Sequence, residues 1–211
     1  MASRREADQL IESGLVQVNG KKAQLGMLVK EGDKVEVSGR YKKNYQYFLY
    51  YKPRGLATQA IGGTDDVISE FKKEGLYPIG RLDKDSEGLM ILTNDGRITS
   101  KILDSEHKFE KEYSVRVKEK LRHGVEDIFA KGMDTDAFGK LLPAEARILT
   151  DTTMRIILHE GKKHQIRVML NDLGYTIISL KRVRIGSFRL GTLQIGESRP
   201  FTQKEVKEIL G

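Results

Sequence analysis

One stretch of the chain concentrates side chains able to act on a substrate. In Ile79-Gly80-Arg81-Leu82-Asp83-Lys84-Asp85-Ser86-Glu87-Gly88, charged groups sit in a loop framed by two glycines. The loop runs straight into the apolar Leu89-Met90-Ile91-Leu92-Thr93 and then Asn94-Asp95-Gly96. Charged residues at the mouth of a buried strand suit a site, because the strand fixes the loop while the loop meets ligand. The chemistry on offer is that of carboxylates. Asp83 and Asp85 as paired acids would suit hydrolysis of a glycosidic bond, but residues two apart share a side only on a strand, and this is a loop. On pattern alone, ordinary turn chemistry accounts for the stretch at least as well, since Gly and Asp end strands in many proteins.

Other constellations carry less. His159-Glu160 and His164 fail the spacing of a zinc hydrolase, whose histidines stand four apart on one helical face. Gly62-Gly63-Thr64-Asp65-Asp66 lacks the Lys-Ser/Thr ending of a phosphate loop and reads as a turn. Ser86 has no histidine base near it in sequence. No metal site is expected.

The elements that must position the Asp83 loop follow from periodicity. Ser3-Arg4-Arg5-Glu6 reads as a capping box opening a helix, with Ala7, Leu10 and Ile11 on one face and Gly14 at its end. Val16 and Val18 alternate into Asn19-Gly20, a two-residue hairpin turn, and Lys34 to Val37 reads as a second short strand. This unit ends near Arg40, and the polar Tyr41-Lys42-Lys43-Asn44 reads as a linker, dividing the chain into residues 1–43 and 44–211. Beyond it, strands are expected at Tyr47 to Tyr51, Glu87 to Thr93, Lys111 to Val117, Met154 to Leu158 and Tyr175 to Ile185. Helices are expected at Arg97 to Leu103, His123 to Lys131, His164 to Leu173 and Gln203 to Leu210, the last opened by the capping box Thr202-Gln203-Lys204-Glu205. The two kinds do not alternate strictly, so the larger unit is expected to be α+β, with a mixed sheet rather than a doubly wound one.

The chain has 211 residues, 38% hydrophobic and 32% charged, enough to bury a core and remain well solvated. Its net charge of +7 attracts polyanions, although many basic proteins never touch RNA. Having no cysteine, it can form neither disulfides nor thiolate zinc sites, nor use a cysteine nucleophile. Neither a signal-peptide stretch at Met1 to Glu6 nor a run of membrane-span length is visible, so the cytoplasm is the expected compartment and no membrane partner is expected. A monomer is the default expectation.

Taken together, several blocks resemble one family. Gly80-Arg81-Leu82-Asp83 with Ser86, Gly88-Leu89 and Leu92-Thr93-Asn94-Asp95-Gly96 resembles the catalytic motif of pseudouridine synthases. The match is closest to the Rsu branch, which acts on small- and large-subunit ribosomal RNA. Lys52-Pro53-Arg54-Gly55, Lys111-Glu112-Tyr113 and Gly161-Lys162-Lys163-His164-Gln165-Ile166-Arg167 resemble further blocks of that branch. Leu180-Lys181-Arg182-Val183-Arg184-Ile185-Gly186 with Leu190-Gly191 resembles its closing strand. The blocks occur in family order from Tyr45 to Gly211. Residues 1–43 resemble the small α/β RNA-binding domain named after ribosomal small-subunit protein S-four, through Ser3 to Ala7, Ile11, Gly14, Val18-Asn19-Gly20 and Gly32-Asp33. The family's pattern has a further helix ahead of Ser3, where this chain starts, so either the chain is truncated or the domain is minimal.

The resemblance implies an RNA isomerase needing no cofactor, its largely antiparallel sheet flanked by helices. Structured RNA, ribosomal RNA above all, is the implied partner. The loop after Asp83 and the tail look more like the large-subunit enzymes. Making pseudouridine breaks a carbon–nitrogen glycosidic bond, turns the base and rejoins it through carbon. Asp83 is the implied catalytic carboxylate, which can add to the ribose, stabilise positive charge or remove a neighbouring proton. Arg167 is its implied partner, favouring the charged form. Tyr113 is the implied active-site tyrosine and Leu180 the pocket wall. Arg81 is expected to fill the gap left by the extruded base. Arg4, Arg5, Lys21 and Lys22 in the first unit are expected to track phosphates. So are Lys181, Arg182 and Arg184 in the second, the alternation of Arg182-Val183-Arg184 giving one basic and one buried face.

Overall fold

The computed structural model describes residues 4–38, 44–60, 66–103 and 109–211. Ser3 of the first capping box, residues 41–43 of the expected linker and residues 62–65 of the glycine turn lie outside them, as does the side chain of Arg5.

In the first unit, α1 (Arg4–Glu12) ends in a Schellman-type closure, with Leu15 N donating to Leu10 O and Gly14 N to Ile11 O. β1 (Val16–Val18) and β2 (Lys21–Lys22) then form a hairpin pairing Val18 with Lys21. Asn19 and Gly20 close it with φ of 50° and 75°, the two positive values this turn demands. β3 (Val35–Val37) pairs along the other side of β1. The Asn19 amide ties the sheet to its last loop, donating to Asp33 Oδ1 at 2.8 Å and accepting from Lys34 N at 2.9 Å. Leu10, Val16, Val18 and Ala23 are the buried core.

The rest of the chain starts with β4 (Tyr47–Lys52), α2 (Val67–Glu70), β5 (Tyr77–Ile79), β6 (Glu87–Thr93), α3 (Arg97–Leu103), β7 (Lys111–Val117) and α4 (Val125–Lys131). A small hairpin of β8 (Asp134–Thr135) and β9 (Gly139–Lys140) precedes β10 (Glu145–Thr150), β11 (Thr153–Leu158), α5 (Gln165–Asp172) and β12 (Ile177–Ile185). β13 (Phe188–Arg189), β14 (Ser198–Pro200) and α6 (Gln203–Leu210) complete it. The main sheet runs β10-β11-β7-β12-β6-β4-β14, with β5 also on β6 and β13 on β12. Its named pairings are antiparallel except β12 with β6. This is the mixed, largely antiparallel α+β architecture expected from the sequence.

β6 explains why an unbroken apolar run is a strand here. Leu89, Met90, Ile91 and Leu92 have no exposed surface, because both faces of the sheet are covered. Leu89 and Ile91 pack with Ile98, Ile102 and Ile209 on one side; Met90 and Leu92 pack with Val67, Phe71 and Leu82 on the other. Each such side chain contributes about 1.5–3 kcal/mol. A further core lies between β7, β11, α4 and α5.

Some boundaries move for visible reasons. α4 begins at Val125, not His123, because Gly124 carries φ 85° and the helix opens after it. β12 begins at Ile177: Tyr175 belongs to the turn after α5, its N–H donating to Leu170 O and its hydroxyl accepting from Arg122 N at 3.0 Å. α6 is opened as expected, with the Thr202 and Glu205 capping box formed in both directions.

Candidate active site

Asp83 lies in the turn that enters β6. Leu82 is 7% exposed and packs against Val67, Phe71 and Met90, which anchors the chain one residue before the carboxylate. Asp83 O then accepts from Ser86 N at 3.1 Å, tightening the turn. Register does the rest. Lys181 and Arg182 of β12 pair with Glu87 and Gly88, and Tyr113 of β7 pairs with Arg182. These elements enclose a cleft of about 600 Å³ lined by Thr58, Arg81, Asp83, Tyr113, His164 and Leu180, among others.

Facing Asp83, α5 supplies a guanidinium and its N-cap position an imidazole. Arg167 Nε stands 3.7 Å from Asp83 Oδ2, and Arg167 Nη2 donates to Ser86 Oγ at 3.0 Å. His164 precedes the helix in the left-handed region, φ 59°, and its Nε2 lies 3.4 Å from Asp83 Oδ1. Asp83 and Arg167 side chains each keep 29% of their surface exposed, so the pair stays reachable by a substrate.

The structure therefore brings together Asp83, Arg167, Tyr113, Leu180 and Arg81. Leu180 is 5% exposed, Tyr113 half-buried, and Arg81 exposed at the rim. Arg4, Lys21 and Lys22 are exposed on the first unit. Lys181 is partly exposed, 3.3 Å from Glu87 and above the Tyr51 ring.

Two expected phosphate contacts are corrected. Arg182 is 2% exposed, its Nε donating to Leu89 O at 2.7 Å and Nη1 to Arg81 O at 3.2 Å. Arg184 has a side chain 12% exposed and is paired with Glu112 at 2.7 Å and Glu110 at 2.9 Å. The reading of one basic side fails because the register of β12 shifts between Arg182 and Arg184, which pair with the adjacent Tyr113 and Glu112, so strict alternation breaks between them. Arg182 Nη2 is, among the described residues, the buried side-chain nitrogen without a hydrogen-bond partner.

Beneath the cleft Lys52 is fully buried, donating to Pro53 O at 2.8 Å and Leu56 O at 2.6 Å. Burial, with Arg182 nearby, pulls its ammonium down to a pKa of about 8, against the pull of Asp83, Asp85 and Glu87. Burial likewise lowers that of Lys111. Away from the cleft, Glu110, Glu145 and His159 bring one ligand atom each within 4.8 Å, a grouping able to hold a cation. Glu110 there already faces Arg184.

Sequence reasoning passed over three groups at the site. Ser86 belongs to the motif but is given no role there beyond a discarded nucleophile, whereas its hydroxyl accepts from Arg167. His164 was weighed as a zinc ligand, whereas it faces Asp83. Thr58 carried no signal, because one threonine in a loop resembles any other.

Comparison with known proteins fits this geometry. Residues 46–172 match the family model of RNA pseudouridylate synthase, and residues 1–35 match the S4 domain. The chain is 37% identical over 224 residues to ribosomal large subunit pseudouridine synthase B of Bacillus subtilis, covering 99% of this chain and 91% of that protein. It is 36% identical to the dual-specificity RNA pseudouridine synthase RluF of Escherichia coli K12, covering 99% of this chain and 74% of that one. A crystal structure of a pseudouridylate synthase superposes with a TM-score of 0.74 at 28% identity, over 98% of this chain and 94% of the other. The chain belongs to the RNA pseudouridine synthase family, with an S4 domain ahead of its α+β catalytic sheet.

Proposed function

We propose that this enzyme isomerises a specific uridine of structured ribosomal RNA, in the large subunit, acting in the cytoplasm as a monomer. The supporting observation is the pairing of Asp83 with Arg167 at 3.7 Å, the carboxylate lining a cleft large enough for a nucleoside. The name of one relative, a large-subunit enzyme, supports this target; the other relative is named dual-specific. No helix among the described residues is long and apolar enough to cross a membrane.

In this reading residues 1–43 dock RNA through Arg4, Arg5, Lys21 and Lys22, and residues 44–211 carry out the reaction. The target base is turned out of its stack at a cost of a few kcal/mol. Arg81, exposed at the rim, stacks into the gap it leaves. Tyr113 stacks on the extruded base and Leu180 walls the pocket. The N1–C1′ bond breaks with both electrons leaving on the base. The Asp83 carboxylate answers the electron-poor sugar by adding to it, by facing its positive charge or by taking a neighbouring proton. The base turns, C5 bonds to C1′, and the proton on C5 is released. The Arg167 guanidinium faces the Asp83 carboxylate at 3.7 Å.

The release of that proton is the test. A transcript of the host's large-subunit rRNA, labelled with tritium at C5 of uridine, should lose label to water with the wild-type protein. With Asp83→Asn it should lose none, while thermal unfolding by circular dichroism stays close to wild type. Binding without release by the wild type would sink the catalytic reading and leave an RNA binder.

A further inference from the structure

The side chain of Asp83 faces α5, but its backbone is held from the opposite direction. The residues on either side of it both bond to the segment that follows β4. Thr58 Oγ1 donates to Leu82 O at 2.7 Å and accepts from Leu82 N at 3.0 Å. Gly55 N donates to Lys84 O at 2.8 Å. One hydroxyl thus satisfies both backbone groups of the residue preceding the carboxylate. Thr58 is 5% exposed and Leu82 7%, so water is poorly placed to substitute.

The segment making these contacts is itself fixed. Lys52 holds the carbonyls of Pro53 and Leu56 from below. Val67 N donates to Ala57 O at 3.0 Å, and the Asp66 carboxylate accepts from Ala60 N at 2.6 Å while capping α2. Residues 53–60 therefore form a bracket, tied to the sheet below and to α2 behind, that grips the loop at Leu82 and Lys84.

We propose that Thr58 is a positioning residue for the isomerisation: its hydroxyl sets the Leu82–Asp83 backbone and so aims the carboxylate at the sugar. Thr58 lines the cleft, but its proton is given to Leu82 O and it accepts from Leu82 N, so it works through the loop and not on the substrate. The proposal rests on Asp83 being the reacting carboxylate. A displacement of about 1 Å at a reacting group can cost on the order of 100-fold in rate. Binding, spread over the RNA surface, is left alone.

The test compares Thr58→Val, Thr58→Ala and Thr58→Ser in tritium release from the labelled large-subunit transcript. Circular dichroism melts check that each variant is folded at the assay temperature. Thr58→Val, close to threonine in shape, should lose on the order of 100-fold in kcat, with KM within about twofold of wild type. Thr58→Ser restores the hydroxyl and should recover most of the rate. Should Thr58→Val be unfolded, Thr58→Ser running far faster than Thr58→Ala carries the same conclusion. Equal rates for wild type and Thr58→Val overturn the proposal. So does Thr58→Ser running as slowly as the variants without a hydroxyl, or a loss confined to KM. Failure of the wild type itself to release label would overturn the isomerase reading instead, so the two failures are told apart.

Discussion

Replacing Gly88 by alanine tests how closely β6 and β12 approach beside the candidate active site. Gly88 sits at φ 114°, outside the region that L side chains adopt, and strain of that kind costs about 1–3 kcal/mol. A Cβ there would lie 2.3 Å from Arg182 O and 2.7 Å from Arg182 N. Both are backbone atoms of the parallel neighbour, so no flexible side chain can swing away. Forcing an extra carbon into such packing adds about 1–3 kcal/mol. The sum, about 2–6 kcal/mol, is a large share of ordinary domain stability. At this chain length it lowers Tm by about 4–24 °C.

The chain has no tryptophan, so urea unfolding is followed by circular dichroism, comparing midpoints at an unchanged slope. Gly75→Ala is the control. Gly75 also has a positive φ, 68°, but nothing lies within 4 Å of its would-be Cβ. Its cost is strain alone, about 1–2 kcal/mol. If Gly88→Ala costs no more than Gly75→Ala, the strands do not approach as closely as described and the reasoning fails.

Two further substitutions probe buried ionisable groups. Asp95 has no exposed surface, and its carboxylate accepts from Tyr47 Oη at 2.6 Å and from Arg97 Nε and Nη2 at 2.8 and 2.7 Å. Asp95→Ala takes the acceptor from the Tyr47 hydroxyl and from Arg97, whose side chain is 32% exposed, and should cost about 1–3 kcal/mol in urea unfolding. Burial acts to raise its pKa, but hydrogen bonds from Arg97 and Tyr47 outweigh it and hold the group below its ordinary 3.8. The Asp95 contribution is thus complete above pH 3.8 and fades as pH falls through the lower folded value; Asp95→Asn should flatten that acid limb. Lys52 runs the other way: its ammonium, ordinarily at 10.5, is drawn to about 8 chiefly by burial. Between those values the unfolded chain holds the proton and the folded one does not. Wild type should therefore gain stability over Lys52→Met as pH rises from 8 to 10.5, by about 3 kcal/mol at most. A difference that shrinks over that window would refute it.

What the sequence disclosed depended on whether a physical constraint left its mark on neighbouring residues. Asn19-Gly20 was readable because two successive positive φ values admit few residue types. The Thr202 and Glu205 box was readable because capping is local. Leu89 to Leu92 stood out because burial on both faces forces a continuous apolar run. β10 escaped notice for the converse reason. It is an edge strand with no fully buried residue, and the alternation of Ala146 and Ile148 against the core is cut short by Leu149, 46% exposed, so it leaves only a brief pattern. Arg182 is misread because the register of β12 shifts just after it, and alternation in the sequence reveals neither that irregularity nor whether a face is covered. Thr58 was illegible because its meaning lies 24 residues away, in the backbone of Leu82.

Those same registers explain why the cleft lies where it does. β12 and β6 are the parallel pair of the main sheet, so both chains enter it from the same end. Lys181 pairs with Glu87, the first residue of β6, which leaves Leu180 one step beyond the end of its neighbour. On its other side Leu180 remains paired, with Val115 of β7. The sheet is therefore open on one side at that level, and the 80–86 loop turns across the opening instead of extending β6. A carboxylate on that loop faces whatever closes the gap from outside the sheet, and α5 does so with Arg167 and His164. Ser86 and Arg167, hydrogen-bonded, are 81 residues apart. Each side of the cleft is thus carried by a different packed core, one around β6 and one between β7 and α5. Lengthening β6 by pairing it one residue further would cover Leu180 and close the opening, and with it the approach to Asp83.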